Sequence, residues 1–362
     1  MPLGVQTDTM THSLQIGDVT IPGRVLMAPM TGITDLPFRR LASRLGAVYV
    51  ATEMVASAEF ARGRPDVVRR AAVGEGLPLT VIQLVGRDPA AMAEGARMAE
   101  AAGADIVDLN FGCPAKEVTG AASGSALMRT PELAGRIMDA VVQATRRPVT
   151  VKMRLGWDDT SLNAADLARE AEALGVRAVT VHGRTRQQFY TGEADWRAVG
   201  AVKAAVSIPV IVNGDIVTSE EAREALDRSG ADALMLGRGV YGRPWLAAHL
   251  ERALADGTTL AEPGPEDRLA IVIEHLSASL AFYGSRLGLR MFRKHLGWYV
   301  EQAPWPPEPQ ARRAARSALC RLDDPVDVAA GLAQLWGVPS DPLGHLRNSV
   351  VDKAPQVAET MG

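Results

Sequence analysis

Short runs rich in Val, Ile and Leu recur along the chain, each closed by a polar or glycine-rich turn and followed by an Ala/Arg/Glu-rich stretch with helical spacing. They fall at 24–30 (RVLMAPM), 47–53 (AVYVATE), 77–84 (LPLTVIQL), 104–110 (ADIVDLN), 148–153 (PVTVKM), 177–183 (RAVTVHG), 209–214 (PVIVNG) and 231–237 (ADALMLG). None shows the alternation of a half-exposed strand, so each predicts a strand buried on both faces. Helical patterns follow them, among them 35–45, 90–102 and 219–229, the last with Ser219 as the expected N-cap. This rhythm predicts a (β/α)8 TIM barrel, and a doubly wound sheet is disfavoured because no GxGxxG follows the first run.

Before the first run, 14–23 (LQIGDVTIPG) predicts a hairpin that plugs the bottom of the barrel. After about residue 256 the strand pattern stops, 254–267 reads as a linker, and 266–336 carries only helical patterns broken at Gly284 and at 303–309 (APWPPEP). The expected organisation is a catalytic barrel with its hairpin over 1–256, a smaller all-helical domain over 264–337 and a loose tail over 338–362.

The 362 residues are 47% hydrophobic and 22% charged, with a net charge of -3, which excludes a uniformly basic nucleic-acid coat. Two cysteines far apart, Cys113 and Cys320, support neither a disulfide framework nor a zinc site, so no metal is expected. The N-terminal stretch lacks the basic and apolar regions of a signal peptide, and no run approaches a membrane span. The expected location is therefore the cytoplasm, with no membrane partner.

Barrels of this kind do their chemistry at the C-terminal ends of the strands. The residues closing the runs are Pro29 and Met30, Glu53, Gln83, Asn110 with Cys113, Lys152 with Arg154, His182, Asn213 with Asp215, and Gly237 with Arg238. The turns NGD (213–215) and GRG (237–239) lie on adjacent strands before helices, where backbone N–H groups can approach a phosphate. Lys152 has two readings, a salt bridge to Glu53 or Asp215 and a cation beside an electron-rich ring. Cys320 lies on a helical face and reads as core, whereas Gly112 and Pro114 hold Cys113 on a shaped loop.

The segments MAPMTGITDLPFR (27–39), IQLVG (82–86), DLNFGCPAKEV (108–118), VKMRLGWD (151–158), VHGRTRQQFYTGEADW (181–196), IPVIVNGDI (208–216) and ADALMLGRGVYGRPW (231–245) resemble, in order and spacing, the bacterial tRNA-dihydrouridine synthases. The likeness is greatest to the B-type subfamily and runs from about residue 14 to about 300. It implies an FMN enzyme, driven by NADPH or NADH, that reduces the C5=C6 bond of a D-loop uridine in tRNA. Flavin N5 would give hydride to C6 and Cys113 a proton to C5. Carried over by position, Pro29, Met30, Thr31, Gln83, Lys152, His182, Asn213, Gly214, Asp215, Gly237 and Arg238 would hold the cofactor. Asn110 would meet the uracil, and RKHLGWY (293–299) resembles part of the family's tRNA-binding domain.

A thiol with an ordinary value near 8.5 is mostly protonated at neutral pH, which suits an acid more than a nucleophile. A stacked uridine hides C5=C6, so the base must be turned out of its loop and the rest of the tRNA needs basic surface. Arg184 and Arg186 are expected to grip phosphates at the barrel mouth, with Arg290, Arg293 and Lys294 doing so on the helical domain. No obligate protein partner is expected, and a monomer is. Two other readings stay open: a dihydroorotate- or dihydropyrimidine-type flavin enzyme acting on a free base, and a non-catalytic tRNA-binding flavoprotein.

Overall fold

The structure, a computed structural model, describes residues 13–74, 76–120 and 122–339. These fall into two compact units, one of 13–239 with 245–260 and one of 240–244 with the residues from 261 onward. Most of the tail expected from 338 lies outside the described residues.

The first unit opens with an antiparallel hairpin, β1 (Leu14–Ile16) and β2 (Val19–Ile21). An eight-stranded sheet follows, made of β3 (Val25–Met27), β4 (Val55–Ala56), β5 (Val81–Val85), β6 (Ile106–Phe111), β7 (Val149–Arg154), β8 (Ala178–His182), β9 (Val210–Asn213) and β10 (Ala233–Leu236). All its neighbours are parallel, and parallel bridges Met27–Val50 and Ala51–Val81 close it into the expected barrel. The run at 47–53 departs from expectation, since it makes two isolated bridges and the regular strand falls at 55–56. Its ladder is carried partly by a side chain: Thr52 Oγ1 accepts from the Gln83 N–H at 3.0 Å.

Around the barrel lie α1 (Leu36–Arg44), α2 (Ser57–Ala61), α3 (Pro65–Arg70), α4 (Pro89–Ala101), α5 (Lys116–Thr119), α6 (Pro131–Ala144), α7 (Ala164–Ala173), α8 (Trp196–Lys203), α9 (Ser219–Ser229) and α10 (Leu246–Asp256). Asp35, Asp88 and Asp195 cap α1, α4 and α8 by accepting from the N–H groups of Phe38, Ala91 and Ala198. On α9 the cap is Thr218 and not Ser219, because Glu221 completes a reciprocal box with it.

The barrel interior is layered. Leu14, Ile16 and Ile21 of the hairpin pack against Leu26, Ala51, Val81, Ile106, Ala178, Ile211 and Ala233, so the N-terminal end is filled by apolar side chains. Further along β5 to β8, on the same face, the layer turns polar with Gln83, Asp108, Thr150 and Thr180, while Ala28, just past β3, and Met235 on β10 keep it apolar. Asn110, Lys152, His182 and Asn213 follow at the mouth. The sequence hides this switch because the polar residues are interleaved with outward-facing Val, Leu and Met.

The second unit holds α11 (Pro265–Tyr283), α12 (Ser285–Gln302), α13 (Pro309–Leu319) and α14 (Pro325–Leu335). Leu276, Phe292, Leu296, Val300, Val328 and Leu332 form its core. Gly288 lets α12 approach α11, since a Cβ there would lie 2.5 Å from the Ser279 carbonyl oxygen. No helix among the described residues is long and apolar enough to cross a membrane.

Ile16 and Ile21 are each 1% exposed. Replacing either with Ala is expected to lower stability by about 2–5 kcal/mol, read from urea unfolding of the barrel.

Candidate active site

At the barrel mouth β6 and β7 place Asn110 beside Lys152 in register. Lys152 Nζ donates to Asn213 Oδ1 at 2.9 Å and pairs with no carboxylate among the described residues, so neither Glu53 nor Asp215 is its partner. Burial first and Arg154 second pull its value down to about 8, with Asp108 and Cys113 acting in the opposite direction. The ammonium is thus charged at neutral pH and keeps N–H groups to spare. Asn213 is fixed in turn, its Nδ2 donating to the Met235 carbonyl at 2.7 Å.

Gln83 is fully buried, and both ends of its amide are engaged inside the barrel. Nε2 donates to Asp108 Oδ2 at 2.6 Å and Oε1 accepts from Asn110 Nδ2 at 2.8 Å. One N–H and one lone pair of Gln83 are left for a ligand at the mouth. Glu53 is likewise internal, its Oε1 accepting from the Gly32 N–H at 2.5 Å. That bond helps hold the loop after β3, where Pro29 and Met30 are half-buried and Thr31 is exposed. The Met30 N–H is spent on Thr34 Oγ1 at 3.0 Å, so Met30 offers only its side chain.

Cys113 lies on the loop leaving β6 and is half-buried. Asn110 Oδ1 accepts from the N–H groups of Gly112 and Cys113 at 3.2 and 2.9 Å. On the other side, Ser125 donates to the Cys113 carbonyl through N at 3.1 Å and Oγ at 2.8 Å. Arg154 Nε donates to the Gly112 carbonyl at 2.9 Å. Burial pushes the thiol above its ordinary value, although the Ala115 N–H, Arg154 and Lys152 pull the other way. The group is a protonated thiol at neutral pH.

Arg184 is 1% exposed. Its Nε donates to the Thr191 carbonyl at 3.1 Å, Nη1 to Asp215 Oδ1 at 2.9 Å and His182 Nε2 at 3.3 Å, and Nη2 to the Gly192 carbonyl at 2.6 Å and to Asp215 Oδ2. All five donors of the guanidinium are used. This overturns the expectation that Arg184 grips a phosphate; it is an internal strut. Asp215 changes role with it, since its carboxylate accepts from Arg184, the Ala194 N–H and Arg238 and so faces cations of the protein.

His182 is neutral, held well below its ordinary value by burial and then by Arg154, Lys152, Arg184 and Arg238. Because Arg184 can only donate, His182 Nε2 accepts and Nδ1 carries the proton. Gly214, at φ +123°, packs against that ring: a Cβ would fall 2.9 Å from His182 Cδ2 and 2.7 Å from the Ala194 methyl. The backbone N–H groups of Gly214, Asp215, Gly237 and Arg238 find no acceptor among the described residues. At Gly237 the nearest atom to an added Cβ, Asn213 Nδ2, is 3.9 Å away, so the approach is open.

Three features here went unread in the sequence. Asp108 is buried within the barrel, and Arg154 donates Nη1 to the Thr185 and Phe189 carbonyls, both at 2.8 Å. The third is the exposed aromatic pair Phe189 and Tyr190 at the mouth, with Arg238 4.5 Å from the centre of the Tyr190 ring. Arg186 is half-buried and stacks on Trp157 at 4.8 Å, as Arg129 does at 4.9 Å. Asp108 could have been found from the two-residue period of β6, since it shares a face with Asn110, whereas Arg154 was noted at the end of its run and only its bonds went unread.

On the helical unit Arg290 and Lys294 are exposed, and Arg286 joins them one turn earlier on α12. Arg293 does not belong to that stripe, because its Nη2 donates to the Leu322 carbonyl at 2.9 Å and to Asp323 Oδ1 at 2.6 Å.

A family model described as dihydrouridine synthase (Dus) matches residues 26–325. The chain belongs to that family. The match runs past residue 300, where the motif-based resemblance stopped. Among relatives, a probable tRNA-dihydrouridine synthase of Rhodobacter capsulatus is 51% identical over 308 residues, covering 84% of this chain and 95% of the relative. The tRNA-dihydrouridine synthase B of Pseudomonas aeruginosa is 44% identical over 325 residues, covering 89% and 96%. Among solved structures, morphinone reductase in complex with tetrahydroNAD superposes with a TM-score of 0.50 at 18% identity, over 71% of this chain and 93% of that one. A 2-naphthoyl-CoA reductase complex gives 0.53 at 12% identity, over 66% and 51%. At such identities these two share the fold.

The Arg184–Asp215 pair is measurable without substrate. Burial would raise the Asp215 carboxyl, but Arg184, the Ala194 N–H and Arg238 outweigh it and leave the value below the ordinary 3.8. A lowered folded-state value means the folded protein binds fewer protons, so the pair's contribution is complete above 3.8 and is lost as pH falls through the folded value. Asp215→Asn is expected to cost about 2 kcal/mol at pH 7, with a smaller loss toward pH 3, read from denaturant midpoints across pH.

Proposed function

We propose that this member of the family is a tRNA-dihydrouridine synthase that uses FMN and NADPH to reduce the C5=C6 bond of a D-loop uridine. The observation carrying the reading is Cys113, a protonated thiol pinned beside Asn110 and Lys152 at the mouth of the family's barrel.

The donor set suits FMN. Four unused backbone N–H groups at the ends of β9 and β10, with half-exposed Arg238 beside them, favour a phosphate. Lys152 supplies a cation for the electron-rich edge of a flavin ring, and the Nδ1–H of neutral His182 supplies a donor. Gln83 adds its one remaining N–H, Asn213 orients Lys152, and Pro29, Met30 and Thr31 follow β3, the neighbour of β10. When bound, the flavin supplies the hydride for uracil C6.

The chain's own residues do the rest. Asn110 has both Oδ1 contacts engaged and one Nδ2 N–H to spare, so it meets a uracil carbonyl as a donor. As negative charge develops over C5 and O4, Cys113 Sγ–H gives its proton to C5. Phe189 and Tyr190 present aromatic surface for nucleotides beside the flipped base, and Arg186 and Arg238 lie close by. Asp215 and Arg184 brace this wall.

Mass spectrometry of tRNA from a deletion strain is expected to show loss of one dihydrouridine, restored by the wild-type gene. Purified enzyme should oxidise NADPH with that tRNA and not with free uracil. Turnover on free uracil alone would favour the free-base reading, and no turnover on either the non-catalytic one. Cys113→Ala should keep its flavin and its reduction by NADPH, while the tRNA-dependent step slows about 10²–10⁴-fold.

A second expectation concerns the helical unit. Replacing Arg286, Arg290 and Lys294 with Ala should weaken tRNA binding and reduce the slope of log K against log salt by about 2–3. An unchanged slope would remove α12 from the interface.

A further inference from the structure

Asp108 takes no part in the chemistry above, yet it is the carboxylate most deeply set in the barrel, 3% exposed on β6. It begins an unbroken path to the acid. Thr150 Oγ1 donates to Asp108 Oδ1 at 2.6 Å and Gln83 Nε2 to Asp108 Oδ2 at 2.6 Å. Gln83 Oε1 accepts from Asn110 Nδ2 at 2.8 Å, and Asn110 Oδ1 accepts from the Cys113 N–H at 2.9 Å and the Gly112 N–H at 3.2 Å. We propose that Asp108 is a positioning residue for the Cys113 acid, setting the direction of a side-chain relay through Gln83 and Asn110 that fixes the Cys113 loop. The proposal rests on the catalytic role given to Cys113 above.

The argument is one of polarity. Amide side chains can bond in either sense, and a relay of two amides has two orientations unless its ends choose between them. A carboxylate only accepts, so it forces Gln83 to turn its NH₂ inward and its oxygen toward Asn110. That turns Asn110 Nδ2 toward Gln83 and leaves Oδ1 for the two loop N–H groups. In the reverse sense, Asn110 would present N–H to the N–H groups of Gly112 and Cys113, and the loop would lose both bonds. Burial raises the Asp108 carboxyl to about 6, so holding it ionised at neutral pH opposes folding. A side chain kept at that expense in the barrel layer below Asn110 has its consequence at the mouth. Acid catalysis is sensitive to such placement, because a displacement near 1 Å can cost on the order of 10²-fold in rate.

Asp108→Leu removes the accepting end. Asp108→Asn keeps it, since its Oδ1 can face Gln83 while Nδ2 donates to Thr150 Oγ1. Hydrogen exchange at the Gly112 and Cys113 amides, measured on the flavin-loaded protein without tRNA, should be about 10-fold faster or more in Asp108→Leu and near wild type in Asp108→Asn. In single turnover, flavin reoxidation by tRNA should slow about 10–100-fold in Asp108→Leu, with its reduction by NADPH unchanged and Asp108→Asn within a few fold of wild type. In a Cys113→Ala background Asp108→Leu should add no further loss. Unchanged exchange in Asp108→Leu, an additive loss in the Cys113→Ala background, or Asp108→Asn as slow as Asp108→Leu would each overturn the proposal. Should Asp108→Leu fail to fold, Gln83→Leu cuts the same relay, and its exchange at Gly112 and Cys113 carries the same two outcomes. If wild-type enzyme showed no reoxidation by tRNA, the functional reading would fall while the exchange comparison still decided the relay.

Discussion

A guanidinium taken out of water has to find an acceptor for each of its five N–H groups, and that demand organises one wall of the barrel mouth. Arg184 meets it with two backbone carbonyls, both oxygens of Asp215 and the ring nitrogen of His182. The arrangement fixes the histidine tautomer, ties the loop after β8 to the end of β9 and turns Asp215 away from solvent anions. Arg154 does similar work on the neighbouring strand, joining the Gly112 carbonyl to those of Thr185 and Phe189. Between them, two buried cations tie together the loops that follow β6, β8 and β9.

The same economy runs through the centre of the barrel. The apolar lower layer supplies stability, and the polar layers above it would be expensive if any group were left unpaired. Thr150, Asp108, Gln83, Asn110, Lys152 and Asn213 share their bonds, so the floor of the site is preorganised before anything binds. Free capacity is concentrated at the top, on Lys152, on one N–H of Asn110 and on the backbone at the ends of β9 and β10.

Much of this was legible in the sequence because parallel strands buried on both faces write themselves as apolar runs with a polar residue at the end. That pattern located Asn110, Cys113, Lys152, His182, Asn213 and Gly237 without coordinates. It misread the second run, where bridges and a threonine hydroxyl replace a regular strand. Charged residues were the harder case. Arg184, Arg186 and Arg293 look alike in a basic stretch of sequence, yet one is buried with every donor used, one stacks on Trp157 and one serves the turn between α13 and α14. Whether a cation faces a ligand or a carbonyl depends on partners distant in the chain, and periodicity carries no information about them. Asp108 escaped for the opposite reason: it lies mid-run, where a polar letter reads as noise until the two-residue alternation is traced.

The hairpin of β1 and β2 has a consequence beyond packing. By filling the N-terminal end with Leu14, Ile16 and Ile21 it leaves the spare hydrogen-bonding capacity of the barrel at the opposite rim, where Cys113 and Lys152 lie. The plug at the far end thus bears on the site by deciding which rim of the barrel is left polar.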